Sequence, residues 1–307
     1  MKKKPFKITL AVLLALVLAL SLAACGGGGD DDPGEENGPT FSANIRVGSK
    51  DFTESLVVAE IYAIALEDAG FTVERRLGIA GSAVHAAIVN DEIDLYPEYT
   101  GTGLLSILQL PMETDPMTVY DIVKAEYDEQ FDISWLDFST ANDGQGLVIR
   151  TEVAEEYDIY TISALQEHAH LLRFCSQGEF DEREDGLPGL IAVYGPFDWL
   201  SSRVYDNALK YEVLRTDEAD VAPAYTTEGQ LVNPEFTLLE DDKYVWPPYN
   251  LVPIVRNDVL SANPDIAAVL NRISHNLDTE TLTMLNAQVD VDNREVDEVA
   301  ADFFNSI

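Results

Sequence analysis

From residue 45 onward the apolar positions fall into short blocks that switch between the period of a strand and that of a helix. Residues 45–48 read as a strand. Residues 54–68 keep Leu56, Ile61 and Leu66 on a helical spacing, with Thr53 as the predicted cap and Gly70 as the stop. Residues 71–77 read as a strand, 81–90 as a helix and 93–96 as a strand. That β-α-β-α-β rhythm predicts an α/β layer with a largely parallel sheet. After a helix at 116–131 and strands at 135–137 and 146–150, a second round begins. It has helices at 163–169 and 188–194 and strands at 171–174, 211–214 and 221–224. A strand at 251–255 is suited to return to the first group, and 265–277 and 295–304 read as amphipathic helices. The expectation is two α/β lobes, 42–143 with 251–307 and 144–250. The chain crosses between them twice, leaving a hinge and a cleft.

The first residues follow a different pattern. Lys2, Lys3, Lys4 and Lys7 precede an apolar run over 8–24 that ends Leu22-Ala23-Ala24-Cys25. A basic start, an apolar middle and small residues before the cut describe a secretory leader, 1–24, and the cysteine makes the cut resemble a bacterial lipobox with Cys25 as the lipidated residue. The run is shorter than the roughly 20 residues that span a bilayer. Residues 25–41 are rich in Gly and Asp, with little to bury, and read as a disordered tether. The protein is therefore expected outside the cytoplasm, on the outer face of the cell membrane or in a periplasm, touching the membrane through its lipid alone.

Charge narrows the partners. The chain carries 55 acidic and 19 basic residues, a formal charge of −36. Such a surface repels nucleic acid and anionic lipid. Acidic residues recur along the whole length, which favours adaptation to salt over a partner-binding acidic tail. With Cys25 assigned to lipid, Cys175 has no disulfide partner and reads as a small buried hydrophobe. No phosphate-binding loop, H-E-x-x-H or G-x-S-x-G occurs, and His168 and His170 lack a third ligand. No catalytic group, metal site or cofactor is expected, and the chain is not read as an enzyme.

What remains is three tyrosine-bearing segments, each bordering a predicted strand: Asp94-Leu95-Tyr96-Pro97-Glu98-Tyr99-Thr100-Gly101-Thr102, Ala224-Tyr225-Thr226-Thr227-Glu228-Gly229 and Tyr244-Val245-Trp246-Pro247-Pro248-Tyr249-Asn250. Together with Gly48-Ser49-Lys50-Asp51-Phe52-Thr53-Glu54 and Asp185-Gly186-Leu187-Pro188-Gly189-Leu190, they resemble the glycine betaine/choline/carnitine-binding proteins of ABC osmolyte importers over about residues 45–304. The resemblance implies a type II periplasmic-binding fold and a box of aromatic faces around a trimethylammonium head, with Tyr99, Tyr225 and Tyr249 in it. It implies further that Lys50, Thr102 and Arg183 hold the ligand's carboxylate, and that the backbone carbonyl of Asp143 faces the cation.

The chemistry is coherent. A quaternary ammonium has charge but no N–H, so π-faces hold it better than a hydrogen-bonding acceptor, at roughly 0.5–2 kcal/mol each. An arginine can grip a carboxylate with two parallel bonds, and a lysine adds a point charge. One departure stands out: Gln145 occupies the place where a fourth box aromatic is often found in the family, with Trp246 as the candidate to fill the gap. The expected function is a monomeric lipoprotein receptor that captures glycine betaine or a related betaine and delivers it to an ABC permease and its ATPase. The alternatives are a receptor for choline, carnitine or another cationic solute, and a sensing lipoprotein not coupled to transport.

Overall fold

The computed structural model describes residues 44–307 apart from Ser82 and Arg183. The leader, Cys25, the tether and Arg183 therefore lie outside the described residues. The described residues form ten strands: β1 (Asn44–Lys50), β2 (Thr72–Ile79), β3 (Leu95–Tyr99), β4 (Ile133–Trp135), β5 (Gln145–Arg150), β6 (Arg173–Ser176), β7 (Ser201–Val204), β8 (Val221–Tyr225), β9 (Phe236–Leu238) and β10 (Leu251–Arg256). They form two five-stranded sheets, ordered β2-β1-β3-β10-β4 and β7-β6-β8-β5-β9.

The two sheets are laid out alike. In the first, β1 runs parallel to β2 and β3, and β10 runs antiparallel to β3 and β4. In the second, β6 is parallel to β7 and β8, and β5 is antiparallel to β8 and β9. The odd strand in each sheet is the one reached directly after the chain crosses over. The crossings, at 136–144 and 239–250, lie side by side. Asn142 and Asn250 form an antiparallel bridge, and Asp143 N–H donates to the Tyr249 carbonyl at 3.1 Å.

Packing explains the strand sequences. All five residues of β3 are buried, as are the first five of β10, so both read as continuous apolar runs covered on two faces. One core cluster holds Val47, Leu95 and Leu251 of the first sheet and Leu147 and Phe174 of the second. Tyr96, Val252 and Ile254 point to a second cluster with Tyr127 and Trp135. Helix Thr53–Asp68 is apolar nearly all round because it is sandwiched: β1 and β2 lie on one side and helices Asp265–Ser274, Thr279–Asp290 and Val296–Phe304 on the other. It ends as expected, with Gly70 at φ +94°. Cys175 is fully buried, and burial pushes its thiol up to about 11.

Some expectations need correction. Thr53 does not cap its helix; the flanking residue is Phe52, without a side-chain bond, and the Thr53 hydroxyl donates to Asp290 at 2.6 Å. Residues 211–214 are not a strand but part of helix Lys210–Arg215. Its Tyr211, Val213 and Leu214 are all buried, and so short an apolar run cannot distinguish the two periods. Helix Thr279–Asp290 and strands β7 and β9 were not expected.

Candidate functional site

Lys50 closes β1 and Glu98 lies on the neighbouring β3, so parallel pairing sets their side chains together. They form an ion pair with the lysine 6% and the glutamate 1% exposed. Glu98 also accepts from the Tyr96 hydroxyl at 2.8 Å and the Tyr99 N–H at 2.8 Å. A buried ion pair endures only when its other lone pairs are satisfied, and here they are. The Lys50 ammonium stands 4.9 Å from the centre of the Tyr99 ring, and Phe52 lies 6.0 Å away on a tilted plane.

Tyr99 is the last residue of β3. Its hydroxyl donates at 2.9 Å to Glu54, in the first turn of helix Thr53–Asp68. Glu54 in turn accepts from the Asn286 amide at 3.0 Å, and the same amide donates to the Thr227 carbonyl at 2.8 Å. This chain of bonds joins β3, two helices and the loop after β8. Burial raises the proton affinity of Glu54 and pushes the Tyr99 phenol well above its ordinary range.

The other two tyrosine segments meet the crossing strands. Gly101 leaves room for the Tyr249 ring: a Cβ there would lie 2.7 Å from ring carbons. Around it the two segments are laced together. Thr100 N–H donates to the Asn250 carbonyl at 3.0 Å, and the Thr100 hydroxyl donates to the Pro248 carbonyl at 2.9 Å. On the far side, Tyr249 N–H donates to the Asn142 side chain at 2.5 Å. Thr226 and Thr227 bind the same crossing: the Thr226 hydroxyl donates to the Asn142 carbonyl at 2.7 Å, and the Thr227 hydroxyl to the Asp143 carboxyl at 2.7 Å. Burial, reinforced by the charge of Glu54, pushes the Asp143 carboxyl well above the usual carboxylate range.

Gln145 opens β5 opposite Tyr225, the last residue of β8. Gln145 is buried, whereas Tyr225 is 43% exposed. Both line a cavity of about 240 Å³ with Lys210 and Gln177. The Gln145 amide donates to the Asp185 carboxyl at 2.7 Å, and Trp246 donates its indole N–H to the Asp185 carbonyl at 2.7 Å. Trp246 is thus tied to the residue that steers Gln145. Thr102 lies half-buried in the single turn Thr100–Thr102.

Six of the residues expected from the sequence fall into three groups. Lys50 and Tyr99 sit together, Tyr249 and Asp143 sit on the crossings, and Gln145 and Tyr225 line the second-sheet cavity. Sequence reasoning did not find Glu54, Glu98, Asn286, Thr227 or Lys210. Glu54 had one signal, an acid in the first turn of a largely apolar helix.

Comparison with known proteins fits this geometry. The family described as the substrate binding domain of ABC-type glycine betaine transport systems, OpuAC, matches residues 43–306. The chain belongs to this family. An OpuAC-family chain is a solute-binding protein of ABC transporters and not an enzyme. The glycine-betaine-binding protein of Pseudomonas aeruginosa PAO1 is 32% identical over 271 residues, covering 84% of this chain and 86% of that one. The carnitine transport binding protein OpuCC of Listeria monocytogenes is 28% identical over 305 residues, covering 98% and 96%. The chain is also 28% identical over 265 residues to the ergothioneine transport permease/ergothioneine binding protein EgtU of Helicobacter pylori G27. That match covers 86% of this chain but spans about half, 47%, of the relative's length. A crystal structure of a glycine betaine/carnitine/choline ABC transporter superposes with a TM-score of 0.79 at 24% identity, covering 85% of this chain and 98% of the other. Apo YehZ from Escherichia coli superposes with a TM-score of 0.73 at 28% identity, covering 86% and 99%. The OpuAC-family fold here is accordingly the mixed α/β, two-sheet type II periplasmic-binding architecture that the motifs implied.

Proposed function

We propose that the chain is the extracytoplasmic receptor of an ABC importer for a quaternary-ammonium solute of the glycine betaine class, tethered to the membrane by lipid on Cys25. Its lobes are 42–143 with 251–307 and 144–250, and the ligand enters between them. The observation that carries the reading is the lacing of all three tyrosine segments to residues 142–144 and 250, beside buried acids. Glycine betaine, carnitine and ergothioneine, named for three relatives, share a trimethylammonium group. Tyr99, Tyr225 and Tyr249 supply faces for it, worth roughly 0.5–2 kcal/mol each. Glu54 and Asp143, whose protons burial holds on, gain negative charge when a bound cation favours their ionised forms. Lys50, Thr102 and Arg183 are assigned to the ligand's carboxylate; Lys50 is shared, since Glu98 already holds it.

Calorimetric titration with glycine betaine, carnitine and choline tests the box. Tyr249→Ala and Tyr99→Ala should each weaken binding at least about tenfold, with unchanged far-UV circular dichroism. Unaltered affinity in both variants would remove the tyrosines from the site. Cys25→Ser should move the protein from the membrane fraction to the soluble extracytoplasmic fraction; retention on the membrane would rule out the lipid as the tether.

A further inference from the structure

Helix Thr279–Asp290 touches three segments of the candidate site from one side. Thr279, Asn286 and Asp290 are spaced seven and four residues apart, so they share one helical face. Thr279 accepts from the Asn142 N–H, on the first crossing, at 3.1 Å. Asp290 accepts from the Thr53 hydroxyl, beside Glu54, at 2.6 Å. Asn286 lies between them and is 4% exposed.

Both amide hydrogens of Asn286 are committed to the site. One goes to Glu54 at 3.0 Å, and the other oxygen of that carboxyl accepts from the Tyr99 hydroxyl at 2.9 Å. The second goes to the Thr227 carbonyl at 2.8 Å, and the Thr227 hydroxyl donates to Asp143 at 2.7 Å. A carbonyl can only accept, which fixes the Asn286 nitrogen on this side. The amide thus ties Tyr99, at the end of β3 in the first sheet, to the loop after β8 in the second, two residues past Tyr225.

The rest of the side chain gains nothing from its position. The Asn286 carbonyl oxygen is buried with no hydrogen-bond partner among the described residues. An apolar side chain of similar size would avoid that penalty, so the value of asparagine here lies in its two donors. The packing beside it leaves no slack: a Cβ on Gly229 would lie 2.6 Å from the Ala287 nitrogen.

We infer that Asn286 is a positioning residue for ligand capture: without touching the ligand, its amide sets how the Tyr99 ring stands against the segment that carries Tyr225. The inference rests on the trimethylammonium reading above and extends it to a residue outside the tyrosine box. Loss of the amide leaves the Glu54 carboxyl free to turn, and the Tyr99 hydroxyl turns with it. The loop after β8 loses its tie to the helix at the same time. Faces that must meet one methylated head then meet it at the wrong spacing.

Calorimetric titration of the full chain with glycine betaine, in a double-mutant cycle, tests this. Asn286→Leu, of similar size but without donors, should weaken binding about tenfold, the weight of about one hydrogen bond. Tyr99→Phe keeps the ring, removes the hydroxyl that Glu54 holds, and should also weaken binding. Because Asn286 acts through Glu54 and Tyr99, the two losses should not multiply: the double variant should bind within about threefold of the weaker-binding single variant. Asn286→Ala carries the same cycle if N286L does not fold by far-UV circular dichroism. Unchanged affinity in either single variant, or losses that multiply in the double, would overturn the inference and leave the trimethylammonium reading standing. If the wild type binds none of glycine betaine, carnitine and choline, both fall.

Discussion

Glu54 and Asp143 show what one carboxyl can do when it is taken out of water. Both hold their protons more tightly than exposed acids, first because burial penalises the charged form; for Asp143 the charges of Glu54 and Glu228 add to this and Lys50 opposes it. An acid with raised affinity in the folded state binds more protons than the unfolded chain does, between about pH 4 and its raised value. Stability therefore falls as pH climbs through that window and is indifferent to these groups below it. Asp143→Asn should flatten the slope, measured by urea unfolding across about pH 4 to 8. A variant as steep as the wild type would assign the slope to other groups. A bound cation favours the ionised acids, so affinity for a quaternary ammonium should rise with pH over the same range. The tyrosine motifs were legible in the sequence, and the fold lays their Thr100, Thr226 and Thr227 against the crossings. Glu54 and Asn286 were not, because their meeting depends on contact between residues 232 positions apart.

The element that most shapes the site is helix Thr279–Asp290, and it was the one least visible beforehand. Its sequence, Thr-Glu-Thr-Leu-Thr-Met-Leu-Asn-Ala-Gln-Val-Asp, has a diffuse apolar stripe. The sign that could have revealed it is Asp278, whose side chain accepts from Thr281 N–H at 2.8 Å as a cap. The helix presses on the loop after β8 so closely that a Cβ on Gly229 would come within 2.6 Å of Ala287 backbone. Backbone cannot yield as a side-chain tip can. Gly229→Ala should therefore destabilise the fold by about 1–3 kcal/mol, read as a lower urea midpoint. It should also loosen Asn286 from Thr227 and Glu54. An unchanged midpoint would mean the helix is free to move away. Strand β7 escaped notice for the opposite reason: all four of its residues are exposed, so its sequence carries no alternation.

At the scale of the whole molecule, charge is the dominant feature and it was fully readable from composition. A formal charge of −36 makes the compact state repel itself. Partial relief comes from clusters such as Arg173 with Asp217 and Asp220, where Arg150 also joins Asp220. Raising the salt from about 0.1 M to about 1 M shortens the screening length from roughly 10 Å to roughly 3 Å. The midpoint of thermal unfolding should climb by about 5 °C or more, followed by scanning calorimetry; a midpoint that stays flat or drops would show that the acidic surface costs the fold nothing. The two-sheet layout was legible as a repeated β-α rhythm, whereas the matching order of the sheets was not. Strand order is decided by which edges meet, and local pattern carries no record of that.

The bridge between Asn142 and Asn250 limits how such a molecule can move. Two cords running separately would let one sheet swivel about the other. Zipped edge to edge as a two-ply strap, they resist twisting more than bending, so any movement of one sheet against the other should follow a nod rather than a turn.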